Sequence, residues 1–356
     1  MRMRRIMAFV TVLCVIALLL CSQAFAGDKI ATSGGWIGDY KEFERQLKYY
    51  TDECEQTFTL YLYGSFIEKI DYDCFCDTIF QNGIKQFGVN DQTYGPRHPV
   101  DFYMVYYPGK RCAYAFTSGK TDILTEDEKE LLDKALVITS DMDGNDEEVI
   151  KQVYDYLCNN VTYYYGDNEI EDNCHNAIGA LLNGEAVCDG YADAFYLMCS
   201  LKGIEAGYVS GVVTANTEKS GDYTKARKHG WNIVKLDDKW YMVDVMNGDA
   251  TGAICYLTYL IGTEMMEKHY SWTAVLPVQV SEDSYHRVEN PFVEVRNWLD
   301  VRTEISKAKT KGLERLTLTG LNFVENDVYL RNLMSSVGIT NNYYFPTEDS
   351  CEILLN

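Results

Sequence analysis

A cysteine at the start of a helical pattern, followed further along by two strand-like runs, restricts the fold more than any other feature of this sequence. The run "GEAVCDGY" occupies residues 184–191, and Ala192, Phe195 and Cys199 then continue one apolar stripe of a helix from Cys188. A glycine-bearing turn therefore leads into a helix whose first turn holds Cys188. Free N–H groups and the helix dipole at such a place stabilise a negatively charged thiolate.

Two alternating runs downstream predict an antiparallel hairpin. Residues 208–213 are typical of a strand, and "HGWNIVKL" and "KWYMVDV" alternate on either side of Asp237-Asp238. A tight turn there places His229 opposite Asp244 or one register step from it. An imidazole and a carboxylate can then touch. Nucleophilic cysteine chemistry needs such a pair, because a base must hold the thiolate and a carboxylate must orient that base.

Each of these residues also has an ordinary structural interpretation. Cys188 alone is typical of a core cysteine or of half a disulfide, His229 of a surface or loop-end histidine, and Asp244 of an acid at a hairpin end. Their combination favours a catalytic triad of Cys188, His229 and Asp244. The backbone N–H of Cys188 is a natural oxyanion donor. The aromatic residues Trp231, Trp240 and Tyr241 are expected in the core.

These motifs resemble the transglutaminase-like superfamily. Its core joins a G-x-V-C-x-G-Y-A helix start to an H-x-W-N strand and a W-Y-x-V-D strand, as in "LLNGEAVCDGYADAFYLMCSLKGIEAGYVSG" and "HGWNIVKLDDKWYMVDV". The similarity extends upstream through "IKQVYDYLCNNVTYYY" and downstream to "YLIGTEMMEKHYSW", over about residues 146–272. The resemblance implies an α+β fold with a papain-like core. In that core a helix bearing Cys188 packs on an antiparallel sheet bearing His229 and Asp244.

The sequence departs from the family pattern near the site. Asp189 stands where Gln or Glu is common, Gly230 where Ala is common, and Met246 where Thr is usual. None of these departures removes a catalytic group. His269 matches a family position downstream of the core, and we interpret it as structural.

The flanks of this core have a similar order of predicted elements, and small α/β accessory domains are expected on both sides. The N-terminal flank predicts helix, strand, helix and hairpin at residues 40–50, 57–63, 72–87 and 101–107 with 111–116. The C-terminal flank predicts the same order at residues 301–310, 313–319, 327–337 and 342–345 with 352–355. A duplicated flanking module is the hypothesis that this order suggests. The predicted domains are 1–26, a signal peptide; 27–120, an N-terminal accessory domain; 121–285, the catalytic core with its leading helices; and 286–356, a C-terminal accessory segment.

The N-terminal segment has the pattern of a secretory signal peptide. Three arginines precede an apolar run at 6–20, and Ala24-Phe25-Ala26 forms a cleavage site before Gly27. The run is shorter than the roughly 20 residues that a membrane-spanning helix needs. Lipid attachment at Cys21 is disfavoured by the bulky Leu20 before it. We therefore expect a secreted or cell-envelope protein without stable membrane insertion.

Composition restricts the partners and the chemistry. Cleavage would leave 29 basic and 53 acidic residues, a formal charge of −24. This charge disfavours binding to nucleic acid and anionic lipid and favours basic protein substrates.

Of the twelve cysteines, ten would remain after cleavage, enough for five disulfides. If one of them is a nucleophile, an odd number of cysteines is left for pairing. The pair Cys74 and Cys76 is too close for the usual zinc spacing. No metal or cofactor is predicted.

Two helix starts precede the cysteine helix. The sequence "TEDE" at 125–128 predicts a capping box. The acidic run at 141–146 lacks the glycine and glutamate positions of a calcium loop. We expect it to end one helix and cap the next, whose apolar face comprises Val149, Ile150, Val153, Tyr154 and Leu157.

The predicted function is that of a secreted transglutaminase-like cysteine enzyme acting on protein or peptide amide bonds through an acyl-thioester. Transfer to water would make it a protease or amidase, and transfer to an amine would make it an acyltransferase; the triad is the same in both cases. One alternative is a catalytically silent cell-envelope binding module with the same fold. Another is a disulfide scaffold in which Cys188 is bridged.

Overall fold

The computed structural model describes residues 31–90, 96–166, 172–213, 227–250, 253–268, 270–274, 276–285, 291–339, 344–346 and 350–355. Helices and mainly antiparallel sheets alternate along these ranges, so the predicted α+β class is confirmed. The predicted signal peptide and Cys21 lie outside the described residues. None of the helices in the described ranges combines the length and apolar content that crossing a bilayer requires.

The N-terminal part is a four-stranded sheet with helices on it. Its elements are β1 (Ala31–Ile37), α1 (Tyr40–Thr51), β2 (Thr57–Tyr63), α2 (Gly64–Ile67), α3 (Tyr72–Gln81), β3 (Ile84–Asn90) and β4 (Arg97–Tyr106). The strand order is β1-β2-β4-β3, with β1 parallel to β2 and the other pairs antiparallel. Apolar residues of the helices and strands, among them Phe43, Leu47, Phe58 and Phe102, form its core.

Two predictions for this part are wrong. The helix predicted over 72–87 ends at Gln81, because Gly83 takes a left-handed conformation (φ 75°) and turns the chain into β3. The hairpin predicted around residues 108–110 does not form, since β4 pairs with β3 instead. Pro108 begins helix α4 (Pro108–Ser118), where its missing N–H is not needed.

The start of α4 is tied to the cysteine-bearing helix by a buried carboxylate. The Gly109 N–H donates to Asp193 at 3.0 Å, and the Ala177 N–H and Tyr208 hydroxyl donate to the same carboxylate at 2.9 and 2.8 Å. A Cβ at Gly109 would lie 2.4 Å from the Asp193 carboxylate, so glycine is needed for this approach. Burial raises the pKa of Asp193 to about 6.

The central part packs helices against an antiparallel sheet. Its helices are α5 (Glu126–Ser140), α6 (Asp146–Asn160), α7 (Cys188–Leu201), α8 (Val245–Gly248) and α9 (Thr263–Met266). Its strands are β5 (Thr162–Tyr163), β6 (Glu185–Ala186), β7 (Ala206–Val213), β8 (Arg227–Leu236), β9 (Lys239–Val243), β10 (Asp249–Ala250), β11 (Ala253–Ile254) and β12 (Tyr270–Ser271). The main sheet has the order β12-β7-β8-β9, and α7 packs on β7 and β8. Short helical turns occupy Thr121–Ile123, Asp172–His175 and Gly179–Asn183.

Both predicted helix starts are confirmed, and each forms a capping box, which the sequence predicted only for the first. The Glu128 N–H donates to the Thr125 hydroxyl at 3.2 Å, and the Thr125 N–H donates to the Glu128 carboxylate at 2.8 Å. Asn145 and Glu148 make the same reciprocal pair at the start of α6. The acidic run before Asn145 therefore separates two helices, as expected.

The hairpin of β8 and β9 fixes the relation between His229 and Asp244. Asp237 and Asp238 both have positive φ, 50° and 60°, as a two-residue turn matched to the strand twist requires. Asn232 pairs with Val243, so Asp244 follows directly after the paired residues; continuing this register would set it opposite Trp231, two residues from His229 on the same face of the sheet. This is one of the two registers predicted.

The C-terminal part repeats the sheet topology of the N-terminal part. Its elements are β13 (Phe292–Glu294), α10 (Trp298–Thr310), β14 (Arg315–Thr319), α11 (Asp327–Ser336), β15 (Tyr344–Pro346) and β16 (Ser350–Leu354). The order is β13-β14-β16-β15, again with a parallel first pair and antiparallel others. Common ancestry of the two parts stays a hypothesis, and the domain limits at 120 and 286 stay predictions.

The C-terminal part contacts the central part through an ion pair of its own sheet, Arg315 with Glu352, both of which interact with Tyr256. Glu352 is fully buried, receives the Arg315 guanidinium at 2.7 Å and accepts the Tyr256 N–H at 2.7 Å. Arg315 also lies over the Tyr256 ring, 4.6 Å from its centroid. The loop that contains Tyr256 is thereby fixed against the C-terminal sheet.

The N-terminal part packs on the strands that carry the candidate site. Asp77 on α3 is buried and accepts the Ser210 hydroxyl of β7 at 2.8 Å and the Thr273 hydroxyl at 2.9 Å. Phe80, one turn further along α3, lies against Gly230 of β8, where an added Cβ would be 2.9 Å from the ring. The glycine at a position where the family commonly has alanine is therefore explained by Phe80.

We expect Gly230→Ala to destabilise the protein by about 1–3 kcal/mol, because the new methyl overlaps the Phe80 ring. Urea unfolding would measure the loss. In a Phe80→Leu background the smaller side chain leaves room for the new methyl group, so Gly230→Ala should lower the free energy of unfolding by clearly less. An equal cost in both backgrounds would show that Phe80 is not the reason for the glycine.

Candidate active site

Cys188 is the first residue of α7, and the preceding chain is shaped by glycine. Gly184 has a left-handed conformation (φ 74°) and leads into β6, after which Val187 is extended and provides no side-chain cap for the helix. A Cβ at Gly190 would lie 2.5 Å from the Cys174 carbonyl oxygen, so only glycine allows this approach. The uncapped helix start therefore presents Cys188, a partly exposed free thiol.

His229 and Asp244 form a short buried contact. The His229 Nε2 atom lies 2.6 Å from Asp244 Oδ2, and both side chains are almost fully buried. Because the acceptor is a carboxylate, Nε2 carries the proton and donates it. The other ring nitrogen, Nδ1, is then the one that faces away from the carboxylate.

Asp244 is held by two further side chains. The Tyr270 hydroxyl and the Asn247 side-chain amide each donate to Asp244 Oδ2 at 2.6 Å. Asp244 is also the N-cap of α8 and accepts the Asn247 N–H at 3.2 Å. Every donor favours the ionised carboxylate, so Asp244 is fixed as an anion with its Oδ2 toward the imidazole.

The charges of these groups are coupled. Burial would lower the pKa of His229, but the Asp244 carboxylate and hydrogen bonding with the Cys188 sulfur raise it above the usual value. Burial would raise the pKa of Asp244, but His229, Tyr270 and the Asn247 N–H lower it. A protonated imidazole between a carboxylate and a sulfur is therefore favoured at neutral pH.

The remaining residues of the H-x-W-N run hold the strand in place. Trp231 is buried, stacks on the His229 ring at 5.9 Å and meets the Tyr270 ring edge-on at 5.2 Å. The Asn232 side-chain amide donates to the Ala192 carbonyl of α7 at 3.0 Å. Trp231 therefore packs beside the imidazole and Asn232 joins β8 to the cysteine helix.

A second polar group lies next to the nucleophile position. The Asp189 carboxylate contacts His175 Nδ1 at 3.0 Å through each of its oxygens, and the Tyr107 hydroxyl donates to it at 3.3 Å. Tyr107 comes from the junction of β4 and α4, so the N-terminal part contributes to the surroundings of Cys188. The Asp189 carboxylate is therefore oriented by His175 and Tyr107.

The structure thus brings the three predicted residues together and adds others that the sequence did not identify. Asn247 could have been found from its place three residues after an N-cap aspartate, where its N–H is expected to donate. Tyr270 and His175 carry no local signal. His269 lies outside the described residues. Within the described ranges, no group of three His, Cys, Asp or Glu side chains is arranged to hold a metal ion.

Comparisons with known proteins agree with these motifs. A profile described as the transglutaminase-like superfamily matches residues 137–245. Kyphoscoliosis peptidase of Homo sapiens is 27% identical over 101 residues, and that of Mus musculus is 26% identical over 102 residues. Each match covers 28% of this chain and 15% of the relative.

Among solved structures, a TGase crystal structure has 16% identity and a TM-score of 0.28, covering 68% of this chain and 60% of the other. The profile match spans α6, the cysteine helix α7, strand β8 with His229, and strand β9 with the Asp244 that follows it. The chain therefore carries a transglutaminase-like core at residues 137–245.

Proposed function

We propose that the protein is an exported thiol enzyme that attacks amide carbonyl groups of proteins or peptides. In this proposal Cys188 is the nucleophile, His229 the acid and base, and Asp244 the group that orients the imidazole. The observation that carries the proposal is the buried His229 ring, which contacts Asp244 at 2.6 Å and whose pKa, despite burial, is raised by Asp244 and by Cys188. Export is supported by the sequence pattern of residues 1–26.

The first half of the reaction forms an acyl-enzyme. The Cys188 sulfur attacks the carbonyl carbon, and the C–O double-bond electrons move onto the oxygen, where the N–H groups at the start of α7 stabilise the negative charge. The oxyanion then collapses and the C–N bond breaks. His229 gives its proton to the leaving amine, which leaves a thioester on Cys188.

The second half returns the enzyme to its starting state. Water or an amine attacks the thioester while neutral His229 accepts the proton, and the sulfur leaves as the thiolate. Water gives hydrolysis and a lysine amine gives a cross-link. The residues of the site serve either acceptor, so the proposal covers both. The acidic chain should favour basic protein substrates at low salt.

We expect iodoacetamide to label Cys188 selectively at about pH 6, where an ordinary thiol is scarcely ionised. Cys76 is a suitable internal comparison, because it is a partly exposed thiol whose pKa is raised by burial. Intact-mass and peptide-mass measurements over time would give both rates. His229→Ala should remove the selectivity, whereas His98→Ala, on β4, should leave it unchanged.

Labelling of Cys188 no faster than Cys76, or unaffected by His229→Ala, would contradict the proposal and favour a catalytically silent binding module.

Enzymatic turnover provides a second, independent test. Cys188→Ala should abolish cleavage or transfer on amide substrates while thermal unfolding stays cooperative. Retained activity in Cys188→Ala would exclude Cys188 as the nucleophile.

We expect Tyr270→Phe to lower kcat/KM about tenfold or more. The substitution removes one hydrogen bond to a buried carboxylate, a contact worth about 1.5–3 kcal/mol, but keeps the ring that packs on Trp231. Tyr106→Phe is the matched control, since its buried hydroxyl donates to the Glu55 carbonyl at 2.6 Å in the N-terminal part. Equal activity losses in both variants would indicate a general stability effect instead.

A further inference from the structure

Two tyrosines, Tyr163 at the end of strand β5 and Tyr165 just after it, lie along the strand that pairs with the segment leading to Cys188. Strand β5 is parallel to β6, Tyr163 is paired with Ala186, and the Tyr164 N–H donates to the Ala186 carbonyl at 2.9 Å. The parallel register is therefore maintained as far as Tyr164. Tyr163 is two residues before Tyr165 and Ala186 is two residues before Cys188, so from this parallel pair the two chains run in the same direction toward Tyr165 and toward the nucleophile.

The two rings form an edge-on pair that is open on one side. Their centroids are 4.9 Å apart with an interplanar angle of 68°. Tyr163 is partly buried, whereas Tyr165 is 65% exposed. Burial, and then the nearby Cys188 charge, raise the pKa of Tyr163, which indicates that its hydroxyl lies within electrostatic range of the sulfur. The exposed Tyr165 ring is thus the outer member of a pair whose inner ring, Tyr163, lies on the strand beside the segment that leads to Cys188.

We propose that Tyr163 and Tyr165 form an aromatic subsite for a large apolar or aromatic side chain next to the attacked amide. The inference rests on the proposed function, because it assumes that a peptide carbonyl is brought to Cys188. Aromatic rings interact favourably with a third ring at this spacing, and the exposed face of Tyr165 would be covered only when substrate is present.

The test compares two alkylating probes at Cys188, iodoacetamide and N-benzyliodoacetamide. In each, the sulfur displaces iodide and a C–S bond forms, so they differ only in the aromatic group offered to the subsite. We expect the wild-type protein to react about three- to tenfold faster with the benzyl probe, the range for one additional aromatic contact. Tyr165→Ala should remove this preference, and Tyr165→Phe should keep it.

Tyr49→Ala is the matched control for the loss of an exposed tyrosine. Tyr49 is 69% exposed and packs edge-on on Tyr50 at 5.2 Å, but it lies on α1 of the N-terminal part. Its removal should leave the probe ratio unchanged. Since Tyr165 is also largely exposed, Tyr165→Ala should fold normally.

The outcomes separate the two proposals. A benzyl preference that survives in Tyr165→Ala, or is absent from the wild-type protein, overturns the subsite while fast labelling by iodoacetamide still supports the thiol enzyme. Slow labelling of Cys188 by both probes overturns the proposed function and the subsite with it. A preference that disappears in Tyr165→Ala and persists in Tyr165→Phe supports the subsite.

Discussion

The contact between the His229 imidazole and the Asp244 carboxylate is the interaction on which the rest of the site depends. Placing both groups almost fully out of water costs several kcal/mol per ion unless the charges are paired and hydrogen-bonded. Asp244 meets this requirement with Tyr270 and Asn247 as additional donors. The carboxylate therefore has a fixed orientation, and the imidazole Nε2 atom is hydrogen-bonded to it. The other ring nitrogen, Nδ1, is then the atom that can interact with the sulfur.

The geometry also depends on contacts that hold strand β8 against helix α7. Asn232 joins the strand to the helix from one side, and Gly190 lets the helix approach the preceding loop. In the N-terminal part, Phe80 of α3 packs against Gly230 of β8, and Asp77 of α3 accepts a hydrogen bond from Ser210 of β7. Since a shift of about 1 Å between nucleophile and base can cost a hundredfold in rate, these contacts bear on chemistry as well as stability. The N-terminal part is therefore packed as a support for the core.

Local sequence signals predicted the central elements well. The apolar stripe after Cys188 and the two-residue turn at Asp237 and Asp238 depend on neighbouring residues, so the helix and the hairpin register could be worked out. Proline and glycine at 108–109 were misleading, because the same residues suit a turn or the first turn of a helix. The helix is favoured here by Asp193, which is distant in sequence and accepts a hydrogen bond from the Gly109 N–H.

Contacts between distant segments could not be predicted. Tyr270 reaches Asp244 across 26 residues, and Asp77 reaches Ser210 across 133. No periodicity or spacing connects such pairs, since each depends on how complete elements pack. Gly230 is a further example: the need for glycine at this position arises from the Phe80 ring of a distant helix, which local sequence does not reveal.

The most direct measurement is the ultraviolet absorbance of the thiolate as a function of pH, with Cys188→Ala as the reference and Asp244→Asn as the test. The account predicts a thiolate absorbance in the wild-type protein that is absent from Cys188→Ala and strongly reduced in Asp244→Asn. The amide keeps the shape of the carboxylate but removes the charge that stabilises the imidazolium. An identical thiolate signal in Asp244→Asn, or none in the wild-type protein, would contradict the claim that His229 and Asp244 hold Cys188 in its reactive form.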